Sequence, residues 1–214
     1  MVSSSSAAAD LLAYGRERIV RWRIIALTSL MVGIAWIVEA PGDTADALTR
    51  AALAALLIAQ FRLWDDLADR DYDSVRHPAR VLVRSTATRW FWVLFAVLAV
   101  TAAGAIGMLD GVAGLAIYCG LLVLLAPVYH GPWRCQRFIR TQLVLLKYPA
   151  LILLLTASSH SSRSVLAGAV VYLLLSVYEW HDDPALREGH AGGRFAVVLA
   201  AVVVVTVTLA SGLN

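Results

Sequence analysis

A chain of 214 residues that is 60% hydrophobic and only 15% charged, with a mean hydropathy of +0.73, is not an ordinary soluble globular protein; such proteins are roughly 45–50% apolar and about 25% charged. Its net charge of +3 excludes little by itself. The basic residues gather at the ends of apolar runs, where membrane topology accounts for them, so no nucleic-acid partner is expected. Several runs approach the roughly 20 residues needed to cross a bilayer and lack the alternation of barrel strands, which predicts an all-α, polytopic transmembrane helix bundle embedded in membrane lipid.

The chain opens on a Ser/Ala tract, Met1 to Ala9, which reads as disordered, and residues 1–21 form a basic N-terminal segment with Arg16, Arg18 and Arg21. Residues 22–214 read as a single transmembrane domain. No small-residue cleavage site follows the first apolar run, so it is expected to be a retained helix rather than a signal peptide. About seven spans are predicted, at 22–39, 46–63, 90–109, 112–128, 141–157, 164–179 and 195–213. With alternate loops on alternate sides, all of the 18 Lys and Arg residues except Arg50 and Arg163 fall on one side. The positive-inside rule then places the N-terminus in the cytoplasm and the C-terminus outside. The two cysteines, Cys119 and Cys135, fit no metal-binding spacing.

Between the second and third spans, Asp65, Asp66, Asp69, Asp71 and Asp73 fall within nine positions. Carboxylates beside hydrocarbon are costly and default to a functional reading. On a continued helix, Asp66, Asp69 and Asp73 share one face at i, i+3 and i+7, while Asp65, Asp71 and Tyr72 point elsewhere. Three stacked carboxylates call for a cation, and an all-oxygen ligand set selects a hard one, Mg²⁺ first. Pro78 ends the helix, and Arg76 and Arg80 return toward the acids, a combination suited to a magnesium diphosphate. The bland alternative is a solvated loop whose acids pair with local arginines.

A second acidic set, Glu179, Asp182 and Asp183, lies on one helical face before Pro184, on the same predicted side. His181 beside it suits an interfacial role better than a ligand. Between the fourth and fifth spans lies a basic stretch with Tyr129, Pro132, Arg134 and Arg137, followed by Arg140. Lys147 differs, standing inside an apolar run where a lysine must snorkel or find an internal anion.

These stretches resemble the UbiA superfamily of intramembrane prenyltransferases. Asp65-Asp66-Leu67-Ala68-Asp69-Arg70-Asp71-Tyr72-Asp73 is similar to that family's N-D-x-x-D-x-x-x-D motif, with Asp65 in place of asparagine, and Pro78 and Arg80 match the segment that follows. Tyr129, Pro132, Arg134 and Arg137 are similar to its Tyr-x-Pro-Pro-x-Arg-x-Lys stretch, with one proline of the two. Glu179 to Asp183 match its second D-x-x-x-D motif loosely, with Glu at the first position. The likeness covers residues 60 to about 190. The family usually has nine helices. A chain of seven implies a short branch, a chamber closed by a further subunit as in a homo-oligomer, or one open to lipid. CDP-alcohol phosphotransferases also carry aspartates at a membrane edge, but require a glycine where Arg70 follows Asp69.

The resemblance implies Mg²⁺-dependent transfer of an isoprenoid from a prenyl diphosphate to an aromatic or lipid acceptor through an allylic carbocation, with the active site facing the cytoplasm. Asp66, Asp69 and Asp73 would hold one Mg²⁺, and Glu179 and Asp183, with Asp182, a second. Arg76, Arg80, Arg134, Arg137 and Lys147 would bind the diphosphate, and Lys147 joins the three aspartates as catalytic. Tyr72, Tyr129, Tyr148 and Tyr178 are ring candidates for steadying the cation, although an interfacial aromatic belt predicts the same residues. Two alternatives share the site: a terpene cyclase that needs no acceptor, and a non-catalytic membrane partner of the same fold.

Overall fold

The computed structural model describes residues 6–131, 137–156 and 161–182. Among these, every regular element is helical: α1 (Ala7–Tyr14), a π-helical turn (Gly15–Ile19), α2 (Trp22–Val38), α3 (Thr44–Ala68), α4 (Arg70–Arg76), α5 (Val81–Arg84), α6 (Thr88–Leu109), α7 (Gly111–His130), α8 (Arg137–Leu145), α9 (Lys147–Leu155) and α10 (Ser162–Asp182).

Local sequence explains the boundaries. α2 stops at Glu39, whose extended backbone precedes Ala40 and Pro41. α3 starts at Asp43, whose side chain accepts from the Asp46 amide at 2.8 Å, while Asp46 returns a carboxylate to the Gly42 amide at 3.0 Å. This reciprocal pair satisfies amides that a helix start leaves unpaired. The reversal from α6 to α7 turns on Gly111, whose φ of +63° lies in the left-handed region that glycine enters without a Cβ clash. Pro149 explains a break. It has no amide to continue the ladder from α8, so the helix restarts at Lys147 with the proline in its first turn, where an amide is not needed.

Four helices, α3, α6, α7 and α10, are long and apolar enough to cross a membrane, and a fifth span results if α1 with its π turn and α2, bent by 64°, are taken as one. The described residues are thus all-helical, with the character of an integral membrane protein. Four of the seven expected spans coincide with α3, α6, α7 and α10. The first corresponds to the 17-residue α2, the fifth is divided at Leu146, and 195–213 lies outside the described residues.

α3 is the central element, packing on α2, α6, α7 and α9, while α10 lies along α9 and against α2. The core joins Met31 and Ala35 of α2, Leu53, Leu57 and Phe61 of α3, Ile106 of α6, Leu125 of α7 and Ile152 of α9. Buried polar clamps tie helices together where water is absent. Tyr118 donates to Gln60 at 2.9 Å, and Tyr172 donates to Gln142 at 2.7 Å. Gly168 lets α10 approach Pro149 of α9 closely.

Residues 1–5 lie outside the described residues, and from Ala7 the N-terminal segment is helical. Ser6 caps α1 by accepting from the Ala9 amide, and Tyr14 is buried with Leu63, Leu67, Leu82 and Phe91 in a second, smaller core. Leu11 and Tyr14, three residues apart on one face of a short helix, supply with Ile19 the burial that a Ser/Ala tract alone does not.

Candidate functional site

Antiparallel packing brings the end of α3, the end of α7, the breaks around α8 and α9, and the end of α10 to one end of the bundle. The acidic run is placed there. α3 ends at Ala68; Asp69 adopts φ −94° and ψ 7°, and the chain resumes helix at Arg70. Adjacent residues on a helix diverge by about 100°, so Asp65 and Asp66 face different flanks of α3.

Asp66 faces the N-terminal segment. Its Oδ2 accepts from the Tyr14 hydroxyl at 2.9 Å and Arg18 Nε at 2.9 Å; its Oδ1 accepts from Arg18 Nη2 at 2.6 Å and lies 3.0 Å from Arg62 Nη2. Two further contacts fasten this segment over the acidic end: the Val81 amide donates to Glu17 at 3.0 Å and the Ser85 hydroxyl to Asp10 at 2.6 Å. Asp73 is buried and paired with Arg80. Asp69, half exposed, pairs with Arg140 Nη2 at 2.8 Å. Partial burial pushes its carboxyl pKa up, against the opposing pull of Arg140. Asp71 is exposed, and its backbone carbonyl accepts from the Ser74 hydroxyl.

Asp65 faces the bundle. Its Oδ1 accepts from the Tyr129 hydroxyl and its Oδ2 lies 2.5 Å from Lys147 Nζ. Below it, Trp64 donates to His130 Nε2 at 2.7 Å and packs on Tyr129 and Phe95 at ring separations of 4.6 and 5.1 Å. Asp65 and Lys147 stand in the wall of a cavity of about 430 Å³ between α2, α3, α9 and α10. Its apolar surface comes from residues such as Ile24, Leu27, Ile58, Phe61, Leu151 and Leu175, and its polar part from Arg23, Arg62, Asp65, Lys147 and Glu179, with Trp22, Tyr148 and Tyr178. Arg62 belongs to both halves, lining the cavity and reaching Asp66. The space can hold an amphipathic molecule with an anionic head and an apolar body.

The residues singled out in the sequence are therefore divided. Lys147, Glu179, Tyr148 and Tyr178 line the cavity; Tyr129 sits behind it on Asp65. Asp66, Asp69 and Asp73 do not line it, and each is held by a different arginine or pair of arginines. Arg80 reaches Asp73, whereas Arg76 lies over the Tyr72 ring at 5.5 Å, both away from the cavity. Asp182 is exposed at the end of α10. Arg134 and Asp183 lie outside the described residues, as does the side chain of Arg137. Among the described residues no three His, Cys, Asp or Glu side chains come together to hold a metal ion. The oxygen donors suit Mg²⁺ chemically, but Asp66, Asp69 and Asp73 as arranged do not share one ion: each has an arginine against it.

Sequence reasoning passed over Asp65, Tyr14 and Arg18. Tyr14 and Arg18 are spaced i, i+4 and so share a face, which was the available signal. No family model, curated protein or solved structure matches the chain.

Proposed function

We propose that this protein is an intramembrane prenyltransferase of the UbiA kind, binding a prenyl diphosphate in the cavity between α2, α3, α9 and α10. The observation that carries the reading is the cavity itself: an apolar wall joined to a polar part in which Arg23, Arg62 and Lys147 outnumber Asp65 and Glu179, a polarity pattern suited to a hydrocarbon chain with a phosphate head. The acidic end would face the cytoplasm, as the distribution of arginines suggests.

In this reaction the bond between the prenyl C1 and the diphosphate oxygen breaks, and its electron pair leaves with the diphosphate. An allylic carbocation remains, is attacked by the acceptor's electron pair, and the adduct loses a proton. Cationic side chains lining the cavity would favour the charge gathering on the leaving group. The apolar wall would keep water from the cation, and the Tyr148 and Tyr178 rings, which line the cavity, are the candidates for steadying it. Asp66, Asp69 and Asp73 do not share a Mg²⁺ as arranged, so charge on the leaving group would fall to Arg23, Arg62 and Lys147.

A second reading has an observation in its favour. The pairing of all three motif aspartates with arginines suits a non-catalytic protein that holds a lipid anion. Incubating the purified protein with geranylgeranyl diphosphate, with and without Mg²⁺ and a mixture of aromatic and lipid acceptors, separates the outcomes. Acceptor-dependent diphosphate release supports the transferase. Release with a hydrocarbon product and no acceptor replaces it with a cyclase, and tight binding without release replaces it with the non-catalytic reading.

A further inference from the structure

We propose that Asp65, clamped between Lys147 and Tyr129, is the positioning residue of an anion subsite in this cavity: it sets the Lys147 ammonium against the phosphate-bearing head of a lipid-like ligand whose chain lies along the apolar wall. The inference deepens the function proposed above and rests on it.

Lys147 is the first residue of α9 and is 4% exposed. A lysine in an apolar bundle ordinarily extends its stem until the ammonium reaches water. Here it turns inward, and a charge there needs a partner. Asp65 supplies it at 2.5 Å, and the Tyr129 hydroxyl on the other carboxylate oxygen fixes the plane of the pair. An ammonium carries three donors, and Asp65 accepts from one of them while the same side chain lines the cavity. Arg23 and Arg62 add positive charge and Glu179 opposes it, so among these five side chains the cations outnumber the anions by one. Asp66, Asp69 and Asp73 serve a different purpose: Arg18 and Arg140 tie the N-terminal segment and α8 to the end of α3, and Arg80 ties the loop after α4 back to α4. Asp65 is thus the acidic residue of the run through which cavity chemistry is organised.

The test measures binding to the detergent-purified full chain of geranylgeranyl diphosphate, of geranylgeraniol (the same chain without the head) and of phosphatidic acid, together with thermal stability. Lys147→Met should weaken diphosphate binding about tenfold to a hundredfold, the range for losing a charge-assisted hydrogen bond, and leave geranylgeraniol binding within about twofold. Asp65→Asn should weaken the same ligand, with Asp65→Glu recovering most of it. Because Asp65→Asn leaves Lys147 buried without its partner and risks misfolding, the deciding variant is the swap of Asp65→Lys with Lys147→Asp. It restores the ion pair, and hence stability, but puts a carboxylate where the ammonium stood. Recovered stability with binding still lost supports positioning; recovery of both overturns it, since a merely structural pair would behave that way. Folded Lys147→Met protein that binds the diphosphate normally also overturns it. Phosphatidic acid bound equally well, with the same dependence on Lys147, upholds the subsite and overturns the prenyl reading. No binding of any ligand by the parent chain overturns the cavity reading itself.

Discussion

Asp66→Asn separates two roles for the acidic motif by the sign of its effect on stability. In the structure Asp66 is 5% exposed and takes four donor contacts from Tyr14, Arg18 and Arg62. An amide offers one acceptor oxygen and turns an NH₂ group toward the guanidinium groups, so both arginines lose their counterion. Breaking a buried ion pair from one side costs about 3–5 kcal/mol. The side chains of Arg18 and Arg62 are 16% and 33% exposed, and can relax partly into water, which lowers the expected cost to about 2–3 kcal/mol. At about 2–4 °C per kcal/mol for a chain of this length, Tm should fall by about 4–12 °C in a detergent-micelle unfolding experiment, with or without Mg²⁺. A carboxylate that belonged to a cluster awaiting a metal would behave oppositely, because its removal relieves repulsion. A Tm equal to or above that of the parent would refute the ion-pair role.

Two further predictions concern packing and pH. Gly168→Val should lower Tm by the equivalent of about 1–3 kcal/mol, since an added Cβ would meet the Pro149 Cβ, Cα and O at 3.2–3.3 Å and the backbone there cannot yield; unchanged unfolding would mean that α9 and α10 lie farther apart. Asp110, between α6 and α7, is buried with both oxygens lacking a hydrogen-bond donor, and Arg50 Nη1 stands 3.5 Å away. Burial raises its carboxyl pKa, with Arg50 opposing. The folded chain then holds this proton more tightly than the unfolded chain, so stability falls as pH rises from the ordinary carboxylate range through the raised value, and the loss is complete above it. Asp110→Asn should therefore raise Tm at neutral pH and leave it unchanged below about pH 4; a lower Tm at neutral pH would show that the pairing with Arg50 outweighs the burial.

Much of the bundle was legible because apolar runs of spanning length have few alternatives in lipid, and α3, α6, α7 and α10 lie close to where hydropathy places them. The divided fifth span was not, since Pro149 marks a break only when its missing amide is set against the ladder from α8. At the site, the i, i+3, i+7 pattern singled out Asp66, Asp69 and Asp73, but spacing along one helix does not say what stands opposite. The answer came from Tyr14, Arg18 and Arg140, on segments distant in sequence. Asp65 was set aside for pointing away from the other three, and that same divergence is what turns it toward Lys147.

The docking of the N-terminal segment also has a consequence in time. Tyr14 finds Asp66 across a separation of 52 residues, and its apolar pocket is completed only by Leu82 and Phe91, farther along. At 5–20 residues per second, a ribosome needs about 3–10 s to make the first of those connections. Through that interval α1 exists without its pocket, while the apolar helices that follow it are already being delivered to the bilayer. α1 therefore waits for α3 to α6 to be made before it can settle, and a nascent chain halted before Phe91 should leave Tyr14 open to protease while one halted beyond α6 should protect it.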